Sequence, residues 1–532
     1  MAKKSFIQGA VILGIAGIII KVLGAFFRIP LANLIGSEGM GYYQTAYPIY
    51  VLFLTLATAG IPIAISKMVS ERIAVDDYFE AHKVFRVSFI LLFSIGIVSA
   101  AICFFGAGQL VGAMRNPGAK FAMMAIAPAL LFVPMQAAYR GYFQGMQDMK
   151  PTAVSQVTEQ FFRVVAGLFL AYFLIRYGRQ YAAAGASFGA TAGAIGGVLT
   201  VIAIYLYKRG SLEHNIQRTK RNSGEKSSSI LAKIFVIAIP VTIGAAIMPI
   251  MNAIDVGIVM RRLQETGWTY EAANSMYGQL TGMAGPLINF PQVLTQAVAM
   301  SLVPAVAAAY KQKDMHFLRE NVQIGLRMAI IIGLPCAFGL MALSEPIMLL
   351  LYPMQRESAM NAAPCLFIMA FGVIFLSTVQ TLTGVLQGVG KQMIPVRNLL
   401  IGAVAKVIIT YTLTGVESIN IRGAAIGTVV AYMIAATLNV IAVKKYTGAK
   451  FNFTLTYVKP VIATLFMAAA AVFVHRVLFG ITGNALATLI AVGTAGAVYC
   501  VMLFVTRSIE REEIVRLPKG KTLLKIADKF KK

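Results

Sequence analysis

Lys21 lies about two-thirds of the way along an apolar run, Phe6–Arg28, and Arg28 stands near that run's far end. An ionisable side chain deep in a bilayer costs at least about 2–3 kcal/mol, so each one invites a functional reading. Seven residues separate the two cations, which places them on roughly one helical face. No acid lies within a helical turn of Lys21, so its partner must come from elsewhere. Glu159 and Arg163 fall in a second apolar run, Thr152–Ile175, with the i,i+4 spacing of an ion pair. Asp255 closes Asn252-Ala-Ile-Asp255, just before Arg261 and Arg262, and Lys406 sits inside Ile394–Leu413. Cations outnumber acids in this set. A cavity lined by them attracts an anionic headgroup. Blander readings stand beside this one: Arg28, Arg261 and Arg262 can snorkel to the outer headgroups, and Glu159–Arg163 can be an internal structural pair.

Other chemistry finds little support. Cys103, Cys336, Cys365 and Cys500 lie scattered in apolar context without paired or metal-type spacing. His82, His214, His316 and His475 are equally dispersed, and no H-E-x-x-H occurs. No cofactor or metal is predicted. The net charge of +26 would suggest nucleic acid in a soluble chain. Here the composition is 58% hydrophobic and 13% charged, against about a quarter charged in soluble proteins. Lysines and arginines at the cytoplasmic ends of spanning helices explain the excess better, and no nucleic-acid partner is expected.

The elements that must position these charges are long apolar helices. A crossing needs about 20 apolar residues, and the chain offers about fourteen such stretches with little left for a soluble domain. Six run from Phe6–Arg28 to Ala182–Tyr207, six from Ile230–Ile254 to Ile421–Val443, and Tyr457–Val477 and Ala485–Val505 complete the set. The resulting division is an N-terminal lobe 1–207, a linker 208–229, a C-terminal lobe 230–446, two further spans in 447–507, and a basic tail 508–532. Connectors after even-numbered spans carry the cations, as in Lys208, Arg209, Arg218 and Lys220. Both termini are therefore expected in the cytoplasm. In the tail, Leu523, Ile526, Ala527 and Phe530 share one helical face among lysines, the pattern of a helix lying on the inner leaflet; a solvated tail is the alternative. Prolines such as Pro62, Pro240, Pro249 and Pro291 imply broken helices, which survive in a membrane only where neighbours or water satisfy the freed backbone.

The two lobes repeat. Gly141-Tyr-Phe-Gln-Gly145 recurs as Gly384-Val-Leu-Gln-Gly388, and Gly185-Ala-Ser-Phe-Gly189 as Gly423-Ala-Ala-Ile-Gly427. Order and offset are nearly preserved, and Arg163 corresponds to Lys406. A six-helix unit is even, so the copies share one orientation, and parallel repeats place a substrate path at their interface.

Lys21-Val-Leu-Gly24 with Arg28, then Gly36-Ser-Glu-Gly39 and Gly41-Tyr-Tyr43, resembles the first-span signature of polysaccharide and lipid-linked oligosaccharide flippases in the multidrug/oligosaccharidyl-lipid/polysaccharide superfamily. Pro62-Ile-Ala-Ile-Ser66-Lys67, Lys150-Pro151 with Ser155-Gln156, Glu159 and Arg163, and Asn252-Ala-Ile-Asp255 look like its Gram-positive branch, which holds the stage V sporulation protein B type and the lipid II flippases. The likeness runs over essentially the whole chain. It implies an all-α polytopic protein of the bacterial cytoplasmic membrane, with two six-helix lobes forming a V, two extra C-terminal helices and alternating access. It also implies export of an undecaprenyl-diphosphate-linked sugar to the outer leaflet, with Lys21 matching a cavity cation of related flippases and Arg28 matching another after a one-residue shift. Gram-negative relatives carry a further span-two arginine where this chain has Gln44, Tyr47 and Pro48.

On this reading the diphosphate meets Lys21, Arg28, Arg163 and Lys406, while Glu159 and Asp255 are the candidate carriers if Na⁺ or H⁺ couples. Two negative charges leaving a negative-inside cell draw about 4–5 kcal/mol from 100 mV. A cation-coupled multidrug exporter is the alternative, for which an acid-rich cavity would be expected. A membrane enzyme acting on lipid-linked sugars would need acids and metal ligands in a sizeable outer loop. The partners expected are the lipid-linked substrate and the bilayer, with the protein a monomer.

Overall fold

The computed structural model describes residues 2–218 and 225–508. Among them there is no strand. The first ten helices are α1 (Ala2–Thr58), α2 (Ile61–Ile73), α3 (Tyr78–Phe105), α4 (Ala107–Ala113), α5 (Lys120–Ile126), α6 (Ala129–Gly145), α7 (Lys150–Leu174), α8 (Arg179–Arg218), α9 (Ser227–Glu265) and α10 (Tyr270–Gly278). A π-helical stretch, Gln279–Ala284, leads into α11 (Gly285–Lys311), α12 (Met315–Ala342) and α13 (Ser344–Leu351). The last four are α14 (Arg356–Gly388), α15 (Met393–Thr414), α16 (Arg422–Thr447) and α17 (Lys459–Val505).

Among the described residues, twelve helical segments are long and apolar enough to cross a membrane. Fourteen separate spans were expected from the sequence, and the difference has a physical cause at two glycines. A straight helix of 57 residues would run about 85 Å at 1.5 Å per residue, far beyond a hydrocarbon core of about 30 Å. Gly36 interrupts α1 with φ 70° and ψ −179°, a conformation open to glycine and strained for other residues. Beyond it the chain folds back: the rings of Phe27 and Tyr43 meet at 6.2 Å, although sixteen residues of continuous helix would hold them about 24 Å apart. Gly483 does the same in α17, with φ 73°. There His475 Nε2 and Asn484 Oδ1 lie 3.3 Å apart, and Lys459 Nζ donates to the Arg507 carbonyl at 3.3 Å. Both long helices are hairpins.

Contacts divide the chain into two compact units, Met1–Gly278 and Gln279–Lys532. Helix α9, which follows the 208–229 linker, packs on α1, α2 and α3 within the first unit. One close approach is at Gly60, where an added Cβ would collide with the Ala238 carbonyl oxygen. The amphipathic tail predicted in 508–532 lies outside the described residues beyond Ser508.

The internal repeat is visible as matching contacts inside each unit. Gly141 abuts the Pro62 carbonyl while Gly145 abuts Ser66 and Val69; Gly384 abuts the Ala299 carbonyl while Gly388 abuts Val303 and Val306. Gly189 meets the Arg163 carbonyl, and Gly427 meets the Lys406 carbonyl. Even the caps recur: Asp77 accepts from Glu80 N at the start of α3, and Asp314 from Phe317 N at the start of α12. Helices in lipid gain no hydrophobic force from meeting one another, so such close approaches of small residues supply the packing. Large apolar side chains such as Ile90, Phe105 and Val236 remain on the surface, as contact with acyl chains requires.

Candidate functional site: a cation cluster in the first unit

Four of the six side chains singled out above, Lys21, Arg28, Glu159 and Arg163, lie on α1 and α7, which pack together. Gly24 of α1 faces Gln160 of α7, whose Nε2 would lie 3.6 Å from an added Cβ. Lys21 and Arg28 stand three residues before and four after Gly24, so they share the α1 face turned toward α7. On the returning half of α1, Tyr43, Tyr47 and Tyr50 form a ladder with ring spacings of 5.8 and 6.0 Å. The Arg163 guanidinium sits over the Tyr47 ring at 5.9 Å, within the range of a cation–π contact. Arg28 and Arg163 both act electrostatically on Tyr43. Nε of Arg163 is buried and has no hydrogen-bond partner.

The expected Glu159–Arg163 ion pair is not what forms. Glu159 Oε2 accepts instead from Arg140 Nη2 of α6, at 2.9 Å. Arg140 Nε also donates to Ser155 Oγ at 2.9 Å, and Ser155 Oγ donates to the Thr152 carbonyl at 3.0 Å. The fork of one guanidinium therefore bridges two residues one helical turn apart on α7. Arg140 escaped the sequence reading, although the signal was present. It is the only charged residue in Phe121–Phe143, the same criterion that singled out Lys21. The tyrosine ladder was hidden by its ordinary appearance, since aromatic residues at helical spacing usually fill a core.

A profile of the polysaccharide biosynthesis protein family matches residues 6–310, more than half of the 532-residue chain. The chain belongs to this family. A MatE profile matches residues 281–412. Among curated relatives, stage V sporulation protein B of Bacillus subtilis (strain 168) is 27% identical over 523 residues, covering 97% of this chain and 98% of that protein. Lipid II flippase MurJ of the same organism is 26% identical over 423 residues, covering 77% of each chain. Among solved structures, lipid II flippase MurJ in an inward closed conformation superposes with a TM-score of 0.70 at 16% identity, covering 93% of this chain and 98% of that one. An inward-facing multidrug resistance transporter of the MATE family gives 0.67 at 16% identity, covering 81% and 94%. At such identities these likenesses show the fold. With the family profile and the long apolar helices, the chain is a multi-pass membrane protein.

Within this family member, five of the six predicted site residues lie in the first unit: Lys21, Arg28, Glu159, Arg163 and Asp255. Lys21 is exposed on α1, Arg28 and Arg163 are half-buried, and Asp255 is buried in α9. Lys406 lies in α15 of the second unit, where its backbone repeats the packing of Arg163. Arg261 and Arg262 both pair with Glu265, at 2.8 and 2.7 Å. The signature Gly36-Ser-Glu-Gly39 turns out to be architectural. Ser37 Oγ meets Ser275 Oγ at 2.7 Å, Glu38 binds Arg179 and Tyr42, and Asn274 Nδ2 donates to the Glu38 carbonyl at 2.8 Å. These contacts pin the α1 reversal to α10.

Proposed function

We propose that this protein moves an undecaprenyl-diphosphate-linked cell-wall precursor from the inner to the outer leaflet by alternating access. The observation that carries the reading is the charge balance around α7. Arg28 and Arg163 both lie near Tyr43, and Glu159, the carboxylate one turn before Arg163, is engaged by Arg140. A site of this kind in low dielectric favours a diphosphate over a cationic drug. The headgroup contacts fall to Lys21, Arg28 and Arg163, with Lys406 the equivalent cation of the second repeat. Coupling to Na⁺ or H⁺ would fall to Asp255, because Glu159 is occupied. The protein acts as a monomer in the cytoplasmic membrane, with both termini in the cytoplasm. Similarity to a lipid II flippase and to stage V sporulation protein B supports a peptidoglycan precursor as the cargo.

Depleting the protein in its own host, then measuring which lipid-linked precursor builds up on the inner leaflet, tests this reading. Build-up of an undecaprenyl-diphosphate-linked sugar is expected, and unchanged pools would refute it. The MatE match over 281–412 favours one competitor, a cation-coupled multidrug exporter. That reading predicts heightened sensitivity to cationic drugs on depletion, with precursor pools undisturbed.

A further inference from the structure

We propose that Arg140 is a positioning residue that holds Glu159 away from Arg163 and so keeps Arg163 available to an anionic ligand, an inference that rests on the diphosphate reading above. Glu159 and Arg163 stand one turn apart on α7, where an unengaged carboxylate pairs with the guanidinium. Here the carboxylate turns to Arg140 at 2.9 Å. Ser155 fixes the other arm of that guanidinium at 2.9 Å, so Arg140 is braced in the orientation that captures the acid. Arg163 is left against tyrosine rings with its Nε unsatisfied. A buried donor without an acceptor costs free energy, and an incoming anion recovers it.

The second repeat supplies an internal comparison. Lys406 takes the place of Arg163, and Gly402, four residues earlier, takes that of Glu159. Thr383, immediately before Gly384, takes that of Arg140, immediately before Gly141. Thr383 Oγ1 simply donates to the Val379 carbonyl of its own helix at 2.7 Å. Where the acid is missing, its keeper is missing too, while the cation stays. The acid and Arg140 behave as one unit, and that unit is separable from the cation.

The test is equilibrium binding of undecaprenyl diphosphate, and in parallel of inorganic pyrophosphate, to the purified full chain. With Arg140→Gln, Glu159 turns onto Arg163 and affinity for both probes falls by about tenfold or more, the scale of one added opposite charge at a partly desolvated site. Glu159→Gln alone raises affinity, because the acid is gone and Arg140 remains. The double variant Arg140→Gln/Glu159→Gln returns to within about threefold of the unmodified chain. A pair that merely braces α6 to α7 predicts something else: Glu159→Gln would weaken binding as much as Arg140→Gln, and that result overturns the proposal even if Arg140→Gln fails to fold. The two probes separate the levels of the argument. Pyrophosphate binding with the predicted order of variants, but no binding of the lipid, refutes the lipid reading and leaves the role of Arg140 standing. An unmodified chain that binds neither probe refutes both.

Discussion

At the scale of single residues, some interior polar side chains brace the helices and others are proposed to meet the ligand. Lys21 and Arg163 belong to the proposed second group. Replacing Lys21 with alanine removes a cation from the α1 face directed at α7, and transport should fall by at least about tenfold while the amount of protein in the membrane is unchanged. A transport assay alongside membrane immunoblotting reads both. Asn116 belongs to the first group. It is fully buried, and its Nδ2 donates to Thr45 Oγ1 and to Asn274 Oδ1, both at 2.7 Å. Asn116→Ala strands two buried acceptors, and a loss of about 2 kcal/mol is expected. Its signature is a lower melting temperature in detergent with ligand affinity preserved, since these hydrogen bonds join α1 and α10 and none of them is made by the cation cluster. Such networks were illegible in the sequence. An asparagine in a polar turn gives no sign of which helices it ties together.

Among the helices, the sequence reveals lengths and polarity but conceals how neighbours are joined. The repeat was legible because close packing in lipid demands small residues at fixed spacing, and Gly141/Gly145 with Gly384/Gly388 wrote that demand directly into the chain. The abruptness of the hairpin turns was not. Phe6–Arg28 and Tyr43–Ser66 looked like spans with a loop between them, whereas helix continues through the gap and breaks at Gly36 alone. Gly36→Ala forces a Cβ into φ 70°, costing about 1 kcal/mol or more, with reduced yield and earlier melting as the readout. The linker end shows a second device. Glu225 accepts from Arg72 of α2 at 2.6 Å, and from Ser229 and Lys233 of α9 at 3.0 and 2.7 Å. Lys83 of α3 donates to its backbone carbonyl. The hydrogen bond from Lys233, helped by Ser229 and by the charge and hydrogen bond of Arg72, outweighs desolvation by burial and holds the Glu225 carboxyl below the usual carboxylate range. A lowered folded-state value means that this clamp contributes fully above the ordinary glutamate pKa of about 4.3. The contribution disappears as pH falls through the lower, folded value. Glu225→Gln should therefore melt earlier than the unmodified chain at pH 7, and the gap should close in acid. A gap independent of pH would remove the clamp from the account.

For the whole molecule, the chain combines two copies of one helical plan with unequal chemistry. Packing glycines, caps and the Arg163/Lys406 pair are shared by the copies, whereas the acid, its arginine and the tyrosine ladder belong to the first alone. Composition alone made the membrane assignment legible, and motif spacing made the repeat legible. The partner of Glu159 was not, because an i,i+4 neighbour was the only candidate visible along one helix while Arg140 approaches from another. The central claim is outward movement of an undecaprenyl-diphosphate-linked sugar by the purified protein. The direct measurement is leaflet-specific detection of such a lipid in reconstituted vesicles under an inside-negative potential. The lipid should appear in the outer leaflet with the unmodified chain, and its appearance should fall to the protein-free rate with Lys21→Ala. Equal rates with and without protein, or undiminished transport by Lys21→Ala, would contradict it.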